Sequence, residues 1–469
     1  QETVDILDKA MEFRTDGLTV IIEDEKIGMR KLIAKFPKFA KKFTSMINIP
    51  VFTNDELVNF ARVYTKENGY KIDQMGMLAL YNLIGVNQKE DQPMNIGAVK
   101  EMLDAAEVLP ESQSEVGRVN KYVAYAYAAK IKLYQAYKQD ESTHAVTSVD
   151  KTLMKDVVDL CDKLINSGKY DLLSDFQGLD LIANENGKES VFAIQYSIND
   201  GTINGGRINW SNLLNSPGGG SPYGGDGFFL PSQDLVNAYQ TDASGLPDFD
   251  YQSKADYSKV TDNGNNTYSL SNVTTTVDPR LDFVVGRPNI SWKTYTKTPC
   301  KGWVRDKGTY GYNCTKRFWV SPESPDMMKG WPWGASQMNW QIIRYADVLL
   351  WKADALIEIG SDLTTARTLI NKVRERAKNS SYVKDFADKS KNAANYSIAL
   401  YTADNWTQDY ARKALRTEMR LETAMEGERF FDLVRWGIAD KVMNNFLTVE
   451  KSKRIYYANS KFTAGKDEY

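Results

Sequence analysis

Two carboxylates stand beside aromatic side chains in the middle of this 469-residue sequence: Asp226 precedes Phe228 and Phe229, and Asp306 follows Trp303. Cleaving a glycosidic bond needs two carboxyl groups about 5 to 9.5 Å apart, so these are the positions where that chemistry would be sought. A second acidic set, Glu418, Glu422 and Glu426, recurs every four residues among Arg416, Arg420, Arg429 and Arg435. Carboxylates at this spacing on an arginine-studded helix form ion pairs along and between helices, and the set is read as scaffold. The one histidine, His144, lies in a polar stretch with no HExxH and no Cys-x-x-Cys nearby, so a zinc ligand set is missing. No G-x-S-x-G elbow occurs, and the glycine-rich run 218–227 lacks the Lys-Ser/Thr of a phosphate loop. Asn184-Glu185-Asn186-Gly187 is oxygen-rich but reads as a simple turn. The sequence is therefore read as that of a binding protein with no enzymatic activity, cofactor or metal.

What it would bind is suggested by its tryptophans. Six of the ten, Trp292, Trp303, Trp319, Trp331, Trp333 and Trp340, fall between 292 and 340, interleaved with Tyr295, Tyr310, Tyr312 and Phe318 and close to Lys293, Arg305 and Lys316. A sugar ring has an apolar CH face and a rim of hydroxyls. Flat aromatics cover the face while polar and charged side chains pair with the rim, and rigid rings lose little entropy when they bind. Trp292, Trp303, Tyr310 and Trp319, set in polar, glycine-rich surroundings, are the leading ligand candidates. Trp210 and Tyr223, beside glycine-rich turns, follow, with Tyr295, Trp331 and Trp333 completing the set. Trp340 and Trp351 read as packing residues. The saccharide reading requires the candidate rings to be open to water beside a groove.

Charge excludes other classes. Fifty-nine basic against 61 acidic residues give a net charge of −2, with no basic stripe interleaved with aromatics, so a nucleic-acid partner is not expected. No run of about 18 apolar residues is present to span a bilayer. Three cysteines are too few for a disulfide framework; Cys161 reads as a buried helical thiol, and Cys300 and Cys314 could close a small loop in an oxidising compartment.

Three stretches must position these residues. Residues 1–170 read mainly as helix, with a helix stopped at Pro110 and an Ala/Tyr-rich one over 118–137. Residues 171–340 are rich in Gly, Pro, Asn and Asp, with short β-like runs at Ser190–Tyr196 and Leu281–Val285; loops of this kind on a rigid scaffold are where binding residues collect. Residues 341–445 return to paired helices: 342–359 ended by Gly360, 363–377 capped by Asp362, 408–425, and 430–436. Residues 446–469 read as a tail. Antiparallel helix pairs with short turns suggest tetratricopeptide-like stacking.

The last helices carry a resemblance. Arg344 to Leu356 (RYADVLLWKADAL), Ile370 to Ala377 (INKVRERA) and above all Glu418 to Gly437 (EMRLETAMEGERFFDLVRWG) are similar to motifs of the SusD/RagB family of outer-membrane nutrient-binding lipoproteins. Weaker matches lie in order upstream, at Ala105–Pro110, Ser167–Leu172, Glu189–Ser197, Pro231–Val236 and Asp278–Asp282, so the resemblance covers roughly 95–440 and leaves 1–95 poorly matched. It implies one SusD-like domain over 1–469: mainly α, with tetratricopeptide-like helix pairs and a loop-rich region holding a few short strands. It further implies capture of an oligosaccharide at the cell surface, delivery to a SusC-like TonB-dependent transporter, and attachment to the outer membrane through an N-terminal lipid. The chain starts at Gln1 without a signal peptide or lipid-bearing cysteine, and a processed or trimmed chain is expected. No family motif assigns binding residues. Three alternatives remain open: a peptide-binding member of the same family, a tetratricopeptide-type scaffold that binds only protein, and a cryptic glycosidase.

Overall fold

Pro37 separates the first two described helices, α1 (Lys26–Lys35) and α2 (Pro37–Ala40), because proline has no amide N–H and suits only the first turn. Phe39 of α2 is buried and meets Phe43 edge to face at 5.3 Å. The computed structural model describes residues 26–43, 59–63, 66, 109–202, 206–209, 214–215, 217–293, 295, 297–328 and 334–453. The chain divides into two units, 1–72 with 77–101 and 73–76 with 102–469, a division a few residues beyond the point where the family resemblance starts. The helix expected to end at Pro110 lies outside the described residues but for its last positions.

In the second unit, Asn120 caps α3 (Lys121–Ala136) by accepting from the Tyr122 and Val123 amides. A ribbon of β1 (Tyr137–Gln139) and β2 (Val146–Val149) leads to α4 (Lys151–Ile165), whose start Asp150 caps in the same way. Small residues on α3 permit close packing: Ala126, Ala129 and Ala136 are buried. Tyr122 of α3 and Tyr137, which begins β1, enter the core, as expected of packing residues.

The loop-rich stretch leaves the helical frame through β3 (Ser190–Ile194). Within it lie α5 (Gln233–Ala238), a hairpin of β4 (Lys259–Gly264) and β5 (Thr267–Ser271), α6 (Arg280–Val284), β6 (Val285–Gly286), the single-turn α7 (Lys307–Tyr310) and β7 (Cys314–Thr315), which pairs with β6. The stretch returns through β8 (Trp340–Arg344), antiparallel to β3, with Ser190 opposite Arg344 and Ile194 opposite Trp340. One ribbon thus holds both ends of about 145 intervening residues. Leu281–Val285, expected to be extended, is mostly helical: the Asp278 carboxylate accepts the Arg280 amide and folds the chain into a turn.

Four C-terminal helices follow the ribbon closely in sequence: α8 (Tyr345–Ile359), α9 (Leu363–Asn379), α10 (Gln408–Glu422) and α11 (Arg429–Arg435). Gly360, left-handed at φ 80°, ends α8, and Asp362 caps α9, both as the sequence predicts. The predicted helix over 342–359 loses its first residues to β8, whose partner strand is remote in sequence. Residues 439–453, partly expected as tail, form α12 (Ala439–Lys453). Every residue of α8 except Lys352 and Ile359 is buried, so it is the central helix, packed against α4, α9 and α10. Its buried Asp354 accepts from Tyr137 Oη at 2.8 Å and pairs with Arg435 of α11.

Ion pairs join the loop-rich stretch to these helices, in the interior and not on a surface. Arg280 pairs with Asp278 (2.7 Å), Glu418 (2.6 Å) and Glu422 (3.1 Å). Arg344 pairs with Glu189 (2.9 Å), Glu422 (3.0 Å) and Glu426 (2.8 Å). Arg374 meets Glu418, Arg376 meets Glu189 and Glu422, and Arg317 joins Asp180 to Glu426. Burial pushes the Glu422 carboxyl up, but Arg376, Arg344 and Arg280 outweigh it and hold it below its ordinary value. The scaffold reading of Glu418, Glu422 and Glu426 agrees with this lattice.

Candidate functional site

The glycine-rich run 218–227 and the segment 300–312 lie against each other. Gly218 N donates to Trp303 O at 2.6 Å and Gly220 N to Gly302 O at 2.9 Å. A Cβ on Gly220 would stand 2.6 Å from Gly302 O, so the backbones approach as only glycine permits. The glycines build a brace here, and no phosphate cradle.

Beneath this brace, four of the six described ligand candidates form a core. Trp292 (0%), Tyr223 (1%), Trp303 (2%) and Trp319 (2%) are nearly inaccessible to solvent. Trp292 crosses Trp303 at 5.2 Å and donates from Nε1 to Tyr223 Oη at 2.9 Å; Tyr223 donates to Val320 O at 2.7 Å and lies 5.4 Å from Trp319. The expectation that these four rings face ligand is corrected. A loop region with few strands has little aliphatic surface to bury, and the indoles supply apolar surface in its place. Trp340 packs as expected, though on a strand, 4.2 Å from Phe318. Tyr295 is half-buried, bonded through its amide to Trp292 O at 2.8 Å. Trp210, Trp331 and Trp333 lie outside the described residues.

Tyr310 alone of the described candidates is broadly open, 49% exposed. It ends α7, whose N-cap Asp306 accepts the Gly308 amide at 2.8 Å. Phe228, read from the sequence only as a neighbour of Asp226, is 55% exposed, with the Arg305 guanidinium carbon over the ring, 4.3 Å from its centre. Arg305 also donates to Asp226 O at 3.3 Å, tying the two loops together from outside. Nearby, Lys301 and Lys307 reach Asp262 at 3.8 and 3.0 Å, and Tyr312 crosses Tyr268 at 5.7 Å. The signal available in the sequence is the Phe228-Phe229 doublet directly after Gly227.

The groups considered for catalysis have other engagements. Asp306 caps α7, Asp226 lies 3.9 Å from Arg305, and Glu418, Glu422 and Glu426 are locked in the arginine lattice. His144 is exposed in a turn at φ 56°. Residues 184–187 form the expected turn, Gly187 N donating to Asn184 O at 3.2 Å. Burial raises the Glu185 pKa to about 7, against the Asn339 amide it accepts from. Cys300 and Cys314, which could have closed a small loop, are both free thiols; Cys314 is buried beside Trp303 O at 3.8 Å. Among the described residues no helix is long and apolar enough to cross a membrane.

The family model for SusD matches residues 188–468. The chain belongs to the SusD family. The matched region holds the motif-bearing helices α8, α9, α10 and α11 and both strands of the β3–β8 ribbon. In fold, the chain is similar to a SusD superfamily protein from Bacteroides vulgatus, with a TM-score of 0.50 and 18% identity, covering 88% of this chain and 78% of that one. In sequence, it is 32% identical over 107 residues to the SusD-like protein P2 of Formosa agariphila, 23% of this chain and 19% of that protein. It is also 28% identical over 105 residues to a Protein CfxQ homolog of Trieres chinensis, 22% of this chain and 36% of that protein. The chain thus spans about a third or less of the length of these two relatives.

Proposed function

We propose that this SusD-family chain is a cell-surface glycan-binding subunit, which captures oligosaccharide and passes it to a SusC-like TonB-dependent transporter in the outer membrane, where a lipid anchor holds it. The single observation that carries the glycan reading is the exposure of two rings, Phe228 with Arg305 over it and Tyr310, on segments braced against each other above an aromatic core. The brace matters because rigid loops lose little freedom on binding. Two rings worth about 0.5–1.5 kcal/mol each, with a few hydrogen bonds, give roughly millimolar to micromolar affinity, which suits capture followed by release. No catalytic step is part of the proposal.

Calorimetric titration of the whole chain with oligosaccharides and with peptides tests this reading. Saturable binding of at least one glycan, weakened by Tyr310→Ala and Phe228→Ala, is expected. Peptide binding with silence toward every glycan would overturn it in favour of the peptide-binding alternative.

A further inference from the structure

We infer that the glycan taken by this surface is anionic, its carboxylate or sulfate gripped by Arg305. The inference rests on the glycan reading above and adds the charge of the ligand. It begins with how Arg305 is held. Its guanidinium carbon lies over the Phe228 ring, 4.3 Å from the ring centre, and one nitrogen donates to Asp226 O at 3.3 Å, while the side chain stays 48% exposed. The ring contact and this one bond restrain the group while leaving other N–H donors, and a guanidinium fork matches a carboxylate or sulfate two bonds at a time. The nearest carboxylate, Asp226, is 3.9 Å away and half exposed, beyond hydrogen-bond range. An exposed pair at that distance contributes little, so an incoming anion displaces little.

The surroundings carry the same sign. Lys301 and Lys307 share one carboxylate, Asp262, at 3.8 and 3.0 Å. Asp306, beside Arg305, has turned its carboxylate to the Gly308 amide at the start of α7. Exposed Lys297 adds a fourth cation to the segment. Residues 297–307 thus carry four cations, Lys297, Lys301, Arg305 and Lys307, against Asp306 and the paired Asp226 and Asp262, an excess of one positive charge on a chain whose net charge is −2. A neutral sugar would need the rings of Phe228 and Tyr310 but not a guanidinium arranged in this way.

The test is calorimetry on the full chain with four probes: oligogalacturonate, its carboxyl-reduced form, a sulfated galactan oligosaccharide and its desulfated form. At least one charged probe is expected to bind about tenfold more tightly than its neutral counterpart and to weaken as salt rises. Arg305→Ala should cost the charged probe about tenfold, with Arg305→Lys intermediate, while the melting temperature of both variants matches wild type. Which pair discriminates tells uronate from sulfate. Equal binding of charged and neutral probes, or indifference to Arg305→Ala, overturns the anionic assignment while the glycan reading stands. Absence of binding by these probes and by a wider neutral panel defeats both.

Discussion

Arg344 meets Glu189 at 2.9 Å where the loop-rich stretch leaves and rejoins the helical frame, Glu189 immediately before β3 and Arg344 at the end of β8. The same arginine holds Glu422 and Glu426, so ribbon and C-terminal helices share one cation. Arg344→Met strands buried carboxylates and should cost about 3–5 kcal/mol. Urea unfolding at pH 7 measures the loss. A change below about 1 kcal/mol would show that the lattice does not hold the stretch in place.

Buried and exposed rings should separate cleanly. Trp303→Ala or Trp319→Ala empties a packed core and should cost about 3–5 kcal/mol, seen as a lower denaturant midpoint. Tyr310→Ala should leave the midpoint within about 0.5 kcal/mol of wild type and reduce glycan affinity. The opposite pattern would restore the indoles as the ligand platform.

Asp347, in the first turn of α8, should make stability depend on pH. Burial lifts its carboxyl to about 7, with Arg344 opposing and Glu426 assisting the rise. The folded state therefore keeps a proton that the unfolded chain releases near its ordinary value of about 4. Over that window the unfolded state binds fewer protons, so this group's contribution to stability falls as pH rises from about 4 to about 7. Asp347→Asn can still accept the Arg344 amide and should flatten that decline; unfolding midpoints at pH 5 and pH 7.5 in both proteins check it.

Thiol reactivity follows burial. Cys161 and Cys314 are buried and their thiols pushed well above the ordinary range by desolvation, while Cys300 is partly accessible. A thiol-reactive reagent should label Cys300 first in native protein and all three cysteines in denaturant. Fast native labelling of Cys314 would contradict the packing around Trp303.

Local features were legible before the structure. The Asp362 cap, the Gly360 stop and the central apolar helix each follow from a few neighbouring residues. What escaped depends on remote partners. Leu281–Val285 has an extended composition, yet Arg280 turns inward to Glu418 and Glu422, far along the chain. Residues 340–344 resemble the helix that follows them, yet they pair with β3. The candidate site was half legible: Tyr310 and the glycine-flanked loops could be picked out, but indole composition is the same in a core as on a binding platform. Gly286 shows the missing information, since a Cβ there would stand 2.4 Å from the Trp292 ring, a contact that no nearby sequence announces.

The buried indoles also decide how this protein can be watched. Trp292, Trp303 and Trp319 sit in dry, apolar surroundings, and Trp292 is tied to Tyr223. Their ultraviolet emission should be blue-shifted and hard for dissolved quenchers to reach. They make a natural gauge for melting of the loop-rich part, but an optical titration that relies on them would stay flat while the outer surface filled.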